Sequence, residues 1–383
     1  MKNVAIFTST RADYGLLYPI AKRVAEDSSL KLQLIVTGTH LSEKFGNTAK
    51  EIESDGFEIS ASINMGELSG SPINIAESIG RGISGYGAAL NDLQPDIIVI
   101  LGDRYEALAM AQVAVVFHVP IVHLHGGEIT EGAYDDCFRH AITKLSNIHC
   151  ASTEEHRARI IQLGENPLDV HNVGALGVEN IHTTKFMSLN AMSKEFEFEI
   201  GEKYFIVTYH PVTLFDEDPI EVTKNMLEAL DDFADFNVII TYPNSDERHE
   251  DIISLLEKYR TTNPERVFLS PSLGRVRYLS LLNSATLAIG NTSSGIIEVP
   301  SFKCRTINIG ERQKGRMAAK SVINCRADSN SIRAAIRNGI ESPELDDEFD
   351  NPYGKGDTSI EILKLIRTHQ SNQEKVFVDL KFD

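Results

Sequence analysis

The chain is short of basic residues for its acids, short of cysteine, and without a long apolar stretch near its start. Each shortage excludes something. Lys and Arg number 37 against 55 Asp and Glu, a formal net charge of -18. That balance argues against a nucleic-acid or anionic-membrane surface, though not against a locally basic pocket for a phosphorylated ligand. The four cysteines, Cys137, Cys150, Cys304 and Cys325, are widely spaced with no Cys-x-x-Cys pair. Neither a disulfide framework nor a zinc site is indicated, and reduced, mostly buried thiols are expected. The apolar stretch at residues 4–7 is too short for a signal-peptide core or a membrane span, so a cytoplasmic protein is expected. No Gly-Lys-Ser/Thr follows it, which excludes a P-loop there. What remains, at 383 residues, is an acidic chain long enough for two domains.

The organising stretch is residues 96–139. Its pattern predicts strands at residues 97–101 and 121–124, joined by a crossover helix over 105–117. Each strand runs into a polar, glycine-bearing turn, Gly102-Asp103-Arg104 and His125-Gly126-Gly127-Glu128. Ligands of a parallel α/β sheet bind outside the carboxyl ends of its strands. Asp103, His125, Glu128, Asp135 and Asp136 are therefore expected to share one cleft, an arrangement that pushes carboxylate pKa values apart for acid/base work. Taken singly, Asp103 reads equally well as a helix cap, and Asp135 and Asp136 as the first turn of a helix. The coincidence of all five favours a site.

Earlier in the chain, the strand at residues 4–7 leads through Thr8-Ser9-Thr10-Arg11 into a helix, and Arg11 offers a planar cation suited to phosphate. The strand at 32–36 ends near His40, which reads equally as a structural, a positioning or a catalytic residue. Residues 80–85 form a formal GxGxxG inside a helical pattern; no strand precedes it, so close helix packing is its expected use. Residues 150–155 end a strand and cap the next helix. Residues 177–203 read as a linker, with the domain boundary at 174–177. The second half repeats the logic, with five strands ending in polar or glycine turns: a second open parallel sheet. Residues 290–295, Gly-Asn-Thr-Ser-Ser-Gly, form its best phosphate cradle, with Glu298 one turn on as an acceptor for two ribose hydroxyls and Arg312, Lys314 and Arg316 arriving from the next strand end. After an acidic, Pro-containing loop at 342–357, a helix over 359–368 is expected to cross back onto the first domain. The domains are thus expected at residues 1–175, 176–357 and 358–383, the last being the crossing helix and tail.

Two such domains resemble the B-type glycosyltransferase architecture: α/β, with two Rossmann-like, doubly wound parallel sheets facing a cleft. The motifs RADYG (11–15), VTGTHL (36–41), GDRYE (102–106), HLHGGE (123–128), DDCFRHAITKLS (135–146), HPVT (210–213), GNTSSGIIEVP (290–300) and INIGERQKGR (307–316) are similar to those of the hydrolysing UDP-N-acetylglucosamine 2-epimerases of bacterial sialic-acid-type biosynthesis. The resemblance implies an enzyme that converts UDP-GlcNAc and water to UDP and N-acetylmannosamine without metal or nicotinamide cofactor. It implies that a base removes the C2 proton, UDP leaves C1 by anti elimination, and water adds to the 2-acetamidoglucal. It assigns acid/base chemistry to Asp103, Glu128 and Asp135, with Asp136, His40 and Arg139 supporting. It gives UDP contacts to Arg11, Arg104, His210, Asn244, Thr292, Ser293, Ser294, Gly295, Glu298 and Arg312. His125 stands where some relatives carry a catalytic Glu, so the C2 base is left open among these groups, His210 included. The resemblance also implies a homodimer or homotetramer.

Four other readings stay open. The same reaction on UDP-2,4-diacetamido-2,4,6-trideoxyglucose differs only in the pocket around C4 and C6, for which the loops at 66–72 and 130–134 are candidates. A non-hydrolysing epimerase would keep UDP bound and re-add it, a B-type glycosyltransferase would need an acceptor, and a nucleotide-sugar sensor would bind UDP without turnover.

Overall fold

The computed structural model describes residues 1–43, 46–66, 72–130, 134–212, 218–243, 248–342, 351–354, 356–369 and 375–379. The sequence expectations for Thr213 and Asn244, and for most of the loops at 66–72, 130–134 and 342–357, lie outside these residues. The chain divides into two compact units, Met1–Ile129 with Ala133–Asn180 and Tyr353–Asp383, and Thr130–Gly132 with Ile181–Pro352.

The first unit is built on seven strands: β1 (Lys2–Thr8), β2 (Leu30–Thr37), β3 (Ile59–Ile63), β4 (Ile97–Leu101), β5 (Ile121–Leu124), β6 (Ile148–Ala151) and β7 (Val170–Asn172). All pair in parallel, in the order β3-β2-β1-β4-β5-β6-β7. The strands are apolar on both faces because helices cover both faces. Between them run α1 (Arg11–Glu26), α2 (Ala49–Ser54), α3 (Pro72–Leu93), α4 (Tyr105–Val116), α5 (Tyr134–Leu145) and α6 (Glu154–Gln162). On one face Val4, Ile6, Leu34 and Val99 pack with Leu17 and Ile20; on the other Ala5, Phe7, Ile98 and Ile100 pack with Tyr86 and Met110. Thr10 starts α1 through a capping box, its hydroxyl accepting from the Asp13 amide at 3.2 Å while Asp13 accepts from the Thr10 amide at 3.0 Å. In α3, a Cβ at Gly85 would overlap Ile63 Cγ2 and one at Gly82 would lie 2.9 Å from Met65 Cε, so these glycines let the helix sit close to β3.

The second unit has six parallel strands, β8 (Tyr204–Thr208), β9 (Asn237–Thr241), β10 (Val267–Ser270), β11 (Leu287–Gly290), β12 (Arg305–Ile309) and β13 (Val322–Cys325), in the order β10-β9-β8-β11-β12-β13. The sequence reading gave five and missed β13. That strand is at the sheet edge and only half buried, so it lacks the apolar run that marks its neighbours. The stretch read as a linker instead carries α7 (Leu176–Thr183) and α8 (Leu189–Phe196). Ser188 caps α8 by accepting from the Ala191 amide at 3.2 Å. Ile181, Met192 and Ile200 are too sparse to read as a helical stripe, yet they join Tyr204 and Ile239 in one core. The remaining helices are α9 (Pro219–Asp231), α10 (His249–Thr262), α11 (Gly274–Leu282), α12 (Ser293–Ile297), α13 (Ser329–Glu341) and α14 (Thr358–Thr368).

Helix α14 packs on α1 within the first unit, burying Ile362, Leu363 and Ile366. Each such side chain contributes about 1.5–3 kcal/mol. Lys2 Nζ fixes its end by donating to the Ile366 and His369 carbonyls, each at 2.8 Å. Among the described residues no helix is long and apolar enough to cross a membrane. Of the cysteines, Cys150 and Cys304 are buried, Cys325 is half-buried and Cys137 is exposed on α5.

Candidate active site

Strand order fixes the geometry of the first unit's site. β4 and β5 are parallel neighbours with Leu101 opposite Leu124, so the turns that follow them lie side by side. The Gly102 amide donates to the Leu124 carbonyl at 3.0 Å. Gly127 has φ of +76°, and a Cβ there would overlap the His156 carbonyl, so only glycine fits. His125 holds φ at +61°, a left-handed conformation that costs a side-chain-bearing residue on the order of 1 kcal/mol.

Arg139 of α5 ties the two turns together. Its side chain is 3% exposed; Nη2 donates to Asp103 Oδ2, and Nη1 donates to the Glu128 carbonyl at 3.0 Å. Asp136 Oδ1 stands 3.6 Å from the same guanidinium and Oδ2 3.5 Å from His140 Nε2. Asp135, half-buried, occupies the first turn of α5 beside them. The site thus joins Asp103, Glu128, Asp136 and Arg139 directly. Asp103 does not cap α4: the N-cap is Arg104, with no side-chain cap bond.

His125 and Glu128 form a second pair, with Nδ1 and Oε1 2.8 Å apart. A carboxylate only accepts, so Nδ1 carries the proton and Nε2 is the lone-pair nitrogen of the neutral ring. Nε2 has no hydrogen-bond partner among the described residues. Ser152 Oγ donates to Glu128 Oε1 at 3.1 Å and lies 2.9 Å from His156 Nδ1. Burial pushes His156 down to about 4. His123, on β5 beneath the site, is fully buried and pushed down to about 3 by desolvation. It is a neutral spacer, its Nε2 donating to the Gly102 carbonyl at 2.8 Å.

Arg11 and Arg104, given UDP contacts by the resemblance, and His40, given a supporting role, are engaged elsewhere in this unit. Arg11 Nε pairs with Glu51 at 2.9 Å. Arg104 forks onto the buried Glu106 at 3.1 and 2.8 Å. His40 has no exposed surface, and its two nitrogens lie 3.0 Å from the Thr8 hydroxyl and 2.8 Å from that of Thr48. It fixes the turn after β1 rather than presenting itself to a ligand.

In the second unit the sheet reverses its order between β8 and β11, and ligands bind at such a switch. Gly290, at φ of +137°, lies so close to Thr208 that a Cβ would overlap its carbonyl. Asn291, fully buried, locks the turn after β8: its Oδ1 accepts from the His210 amide at 2.7 Å and its Nδ2 donates to the His210 carbonyl at 2.8 Å. Its own carbonyl accepts from Arg312 Nη1 at 3.0 Å and Gln313 Nε2 at 2.7 Å. His210, Thr292 and Arg312 are thus framed around one asparagine. Thr292 caps α12, its hydroxyl accepting from the Ser294 amide at 3.3 Å, and the Tyr278 hydroxyl bonds Ser294 Oγ at 3.0 Å. Burial raises the Glu298 carboxyl, with a Ser294 hydrogen bond opposing.

Residues 22–367 match the family model described as UDP-N-acetylglucosamine 2-epimerase. The chain belongs to the UDP-N-acetylglucosamine 2-epimerase family. A Campylobacter jejuni protein named GDP/UDP-N,N'-diacetylbacillosamine 2-epimerase (hydrolyzing) is 38% identical over 90% of this chain and 88% of its own. Polysialic acid biosynthesis protein P7 of Escherichia coli is 35% identical over 99% of this chain and 97% of its own. The chain is accordingly an enzyme of the hydrolysing UDP-sugar 2-epimerase type. Its two parallel-sheet α/β fold, of the B-type glycosyltransferase kind, is shared with the crystal structure of UDP-GlcNAc 2-epimerase from Neisseria meningitidis bound to UDP-GlcNAc, at a TM-score of 0.79 and 18% identity over 96% of this chain and all of that one.

For this 2-epimerase, sequence reading missed Ser152, His156, Asn291 and Gln313 as partners of site residues. Ser152 follows β6, the neighbour of β5, so the strand-end rule that found His125 also reaches it. Asn291 lies inside the phosphate-cradle motif, and its inward-facing amide was the unread feature.

Proposed function

We propose that this 2-epimerase hydrolyses UDP-2,4-diacetamido-2,4,6-trideoxyglucose, releasing UDP and the free sugar inverted at C2. The observation that carries the reaction is the meeting of Asp103, Glu128, Arg139 and His125 at two adjacent strand ends. A base takes the C2 proton, the C1–O bond breaks as UDP departs, and water then adds hydroxyl at C1 and hydrogen at C2 of the glycal. His125 Nε2, backed by Glu128 at Nδ1, has the form of an orienter-and-base pair. Asp103, its charge held by Arg139, and Asp135 supply the remaining proton traffic, with Asp136 and Arg139 supporting and His40 shaping the turn after β1. His210, Asn244, Thr292, Ser293, Ser294, Gly295, Glu298 and Arg312 hold UDP, while Arg11 and Arg104 are occupied by Glu51 and Glu106. Donors near the leaving group stabilise its growing charge.

The C. jejuni relative's name supports the diacetamido sugar. The polysialic acid biosynthesis relative keeps UDP-GlcNAc, giving N-acetylmannosamine, as the second reading. Proton NMR in deuterated water with each UDP-sugar separates them. Free UDP with a C2-deuterated 2-epimer is expected from the diacetamido substrate first. Faster turnover of UDP-GlcNAc would select the second reading, and UDP retained with the epimer would overturn hydrolysis.

A further inference from the structure

The turn from His125 to Glu128 carries the proposed base pair on a backbone that does not hold itself. His125, at φ of +61°, and Gly127, at +76°, are both left-handed. A side-chain-bearing residue keeps such a conformation only where its surroundings over-determine it. Arg139 of α5 supplies one fastening, through the Glu128 carbonyl at 3.0 Å. The carbonyl just before it, that of Gly127, is held by a second guanidinium, which comes from α6.

That guanidinium is Arg159. It donates through Nη1 to the Gly127 carbonyl and through Nη2 to Glu155 Oε1 at 2.8 Å. Glu155 lies one turn earlier on the same helix face, so its carboxylate aims the guanidinium. The helix is also pressed against the turn: a Cβ at Gly127 would lie 2.3 Å from the His156 carbonyl and 2.9 Å from Ile160 Cγ1. An arginine in the last turn of a helix suits the helix dipole, and its pairing with Glu155 needs no further reason. The bond to Gly127 has another effect. Peptide units are planar, so donors on two successive carbonyls fix the two planes that flank the Glu128 Cα, and with them the direction in which its side chain leaves. Glu128 Oε1 is what stands 2.8 Å from His125 Nδ1.

We propose that Arg159 is a positioning residue for the reaction, setting Glu128 and, through Glu128, the His125 ring. The inference rests on the reading of His125 and Glu128 as an acid/base pair and holds for either UDP-sugar.

Steady-state turnover of the full chain tests it, with the UDP-sugar that the parent hydrolyses and with Arg159→Met, Arg159→Lys and Arg157→Met. Arg157 is the control. It lies two residues away on α6 and likewise joins a helix acid to an outside carbonyl, Glu154 at 2.9 Å and Val170 at 2.9 Å, but its carbonyl belongs to the edge strand β7. Arg159→Met is expected to lower kcat about tenfold or more with KM within about twofold, because a misplacement of about 1 Å at a reacting group can cost about a hundredfold. Arg159→Lys keeps a cationic donor and should recover most of that loss. Arg157→Met should lower the thermal melt comparably and leave kcat unchanged. In NMR of protein carrying nitrogen-labelled histidine, the hydrogen-bonded proton on His125 Nδ1 should lose its resonance in Arg159→Met alone. Parental kcat in folded Arg159→Met, an equal fall of kcat in Arg157→Met, a rise of KM without a fall of kcat, or an unchanged His125 resonance would each overturn the inference. Turnover retained by His125→Gly, assayed beside them, would overturn the acid/base reading itself and this inference with it.

Discussion

At the scale of single residues, the site pairs an unusual backbone with an unusual ring. His125 holds a left-handed φ so that its imidazole, placed by Glu128, stands at the end of β5. Glycine would carry that backbone without strain but without a base. His125→Gly is therefore expected to leave stability within about 1 kcal/mol of the parent while lowering kcat at least about a hundredfold. Chemical denaturation and NMR turnover assays check the two halves; retained turnover would remove His125 from the acid/base set. Asp103→Asn acts differently. It leaves the buried Arg139 guanidinium with weaker compensation, so it should cost about 1–3 kcal/mol of stability and reduce turnover by about a hundredfold or more. UDP affinity should stay nearly intact, because the change removes a proton acceptor without touching the phosphate cradle. Equal loss of binding and turnover would sink that role. The acids themselves were legible in sequence because they follow strand ends. Arg139 was read only as support, since its contact with Asp103 depends on how α5 packs, which spacing does not encode.

At the scale of elements, what could be read was the central strands, whose continuous apolar runs mark burial on both faces. β13 and the helices α7 and α8 escaped because half-buried edges and sparse apolar residues give no strong period. The phosphate-cradle motif was legible as small residues, but the reason for its first glycine is packing: Gly290 lies against Thr208 of β8. Gly290→Ala is expected to force β8 and β11 apart, costing about 3 kcal/mol or more and weakening UDP binding. Gly80→Ala is the matched control. No atom lies within 4 Å of a Cβ there, and the residue is inside α3, so this change should stabilise the protein by about 0.5–1 kcal/mol. Thermal melts of the two variants should move in opposite directions. A melt for Gly290→Ala equal to the parent's would refute the close-approach argument.

At the scale of the whole molecule, the first unit buries His123 and His156 as neutral rings, and that sets an acid limit on the fold. Burial holds His123 at about 3 and His156 at about 4, both well below the ordinary value of about 6.5. A group whose folded pKa is depressed favours the native state above its unfolded pKa, and the contribution is lost as pH falls toward the folded value. Below pH 6.5 the unfolded chain therefore takes up protons that the native chain refuses. At pH 5 each ring should cost on the order of 2 kcal/mol, a large share of a typical margin of about 5–15 kcal/mol. Glu165 extends the trend to lower pH. Burial works against its carboxylate, yet hydrogen bonds from His149, Lys144 and Lys375 hold it down at about 2, so its contribution fades between about 4.5 and 2. Urea unfolding followed from pH 8 to pH 4 should show a midpoint that is nearly flat above pH 7 and falls steadily below pH 6.5. A midpoint independent of pH between 7 and 5 would mean that these rings are protonated in the native state, and that the tight packing of His123 beneath the site gives way to let a proton in.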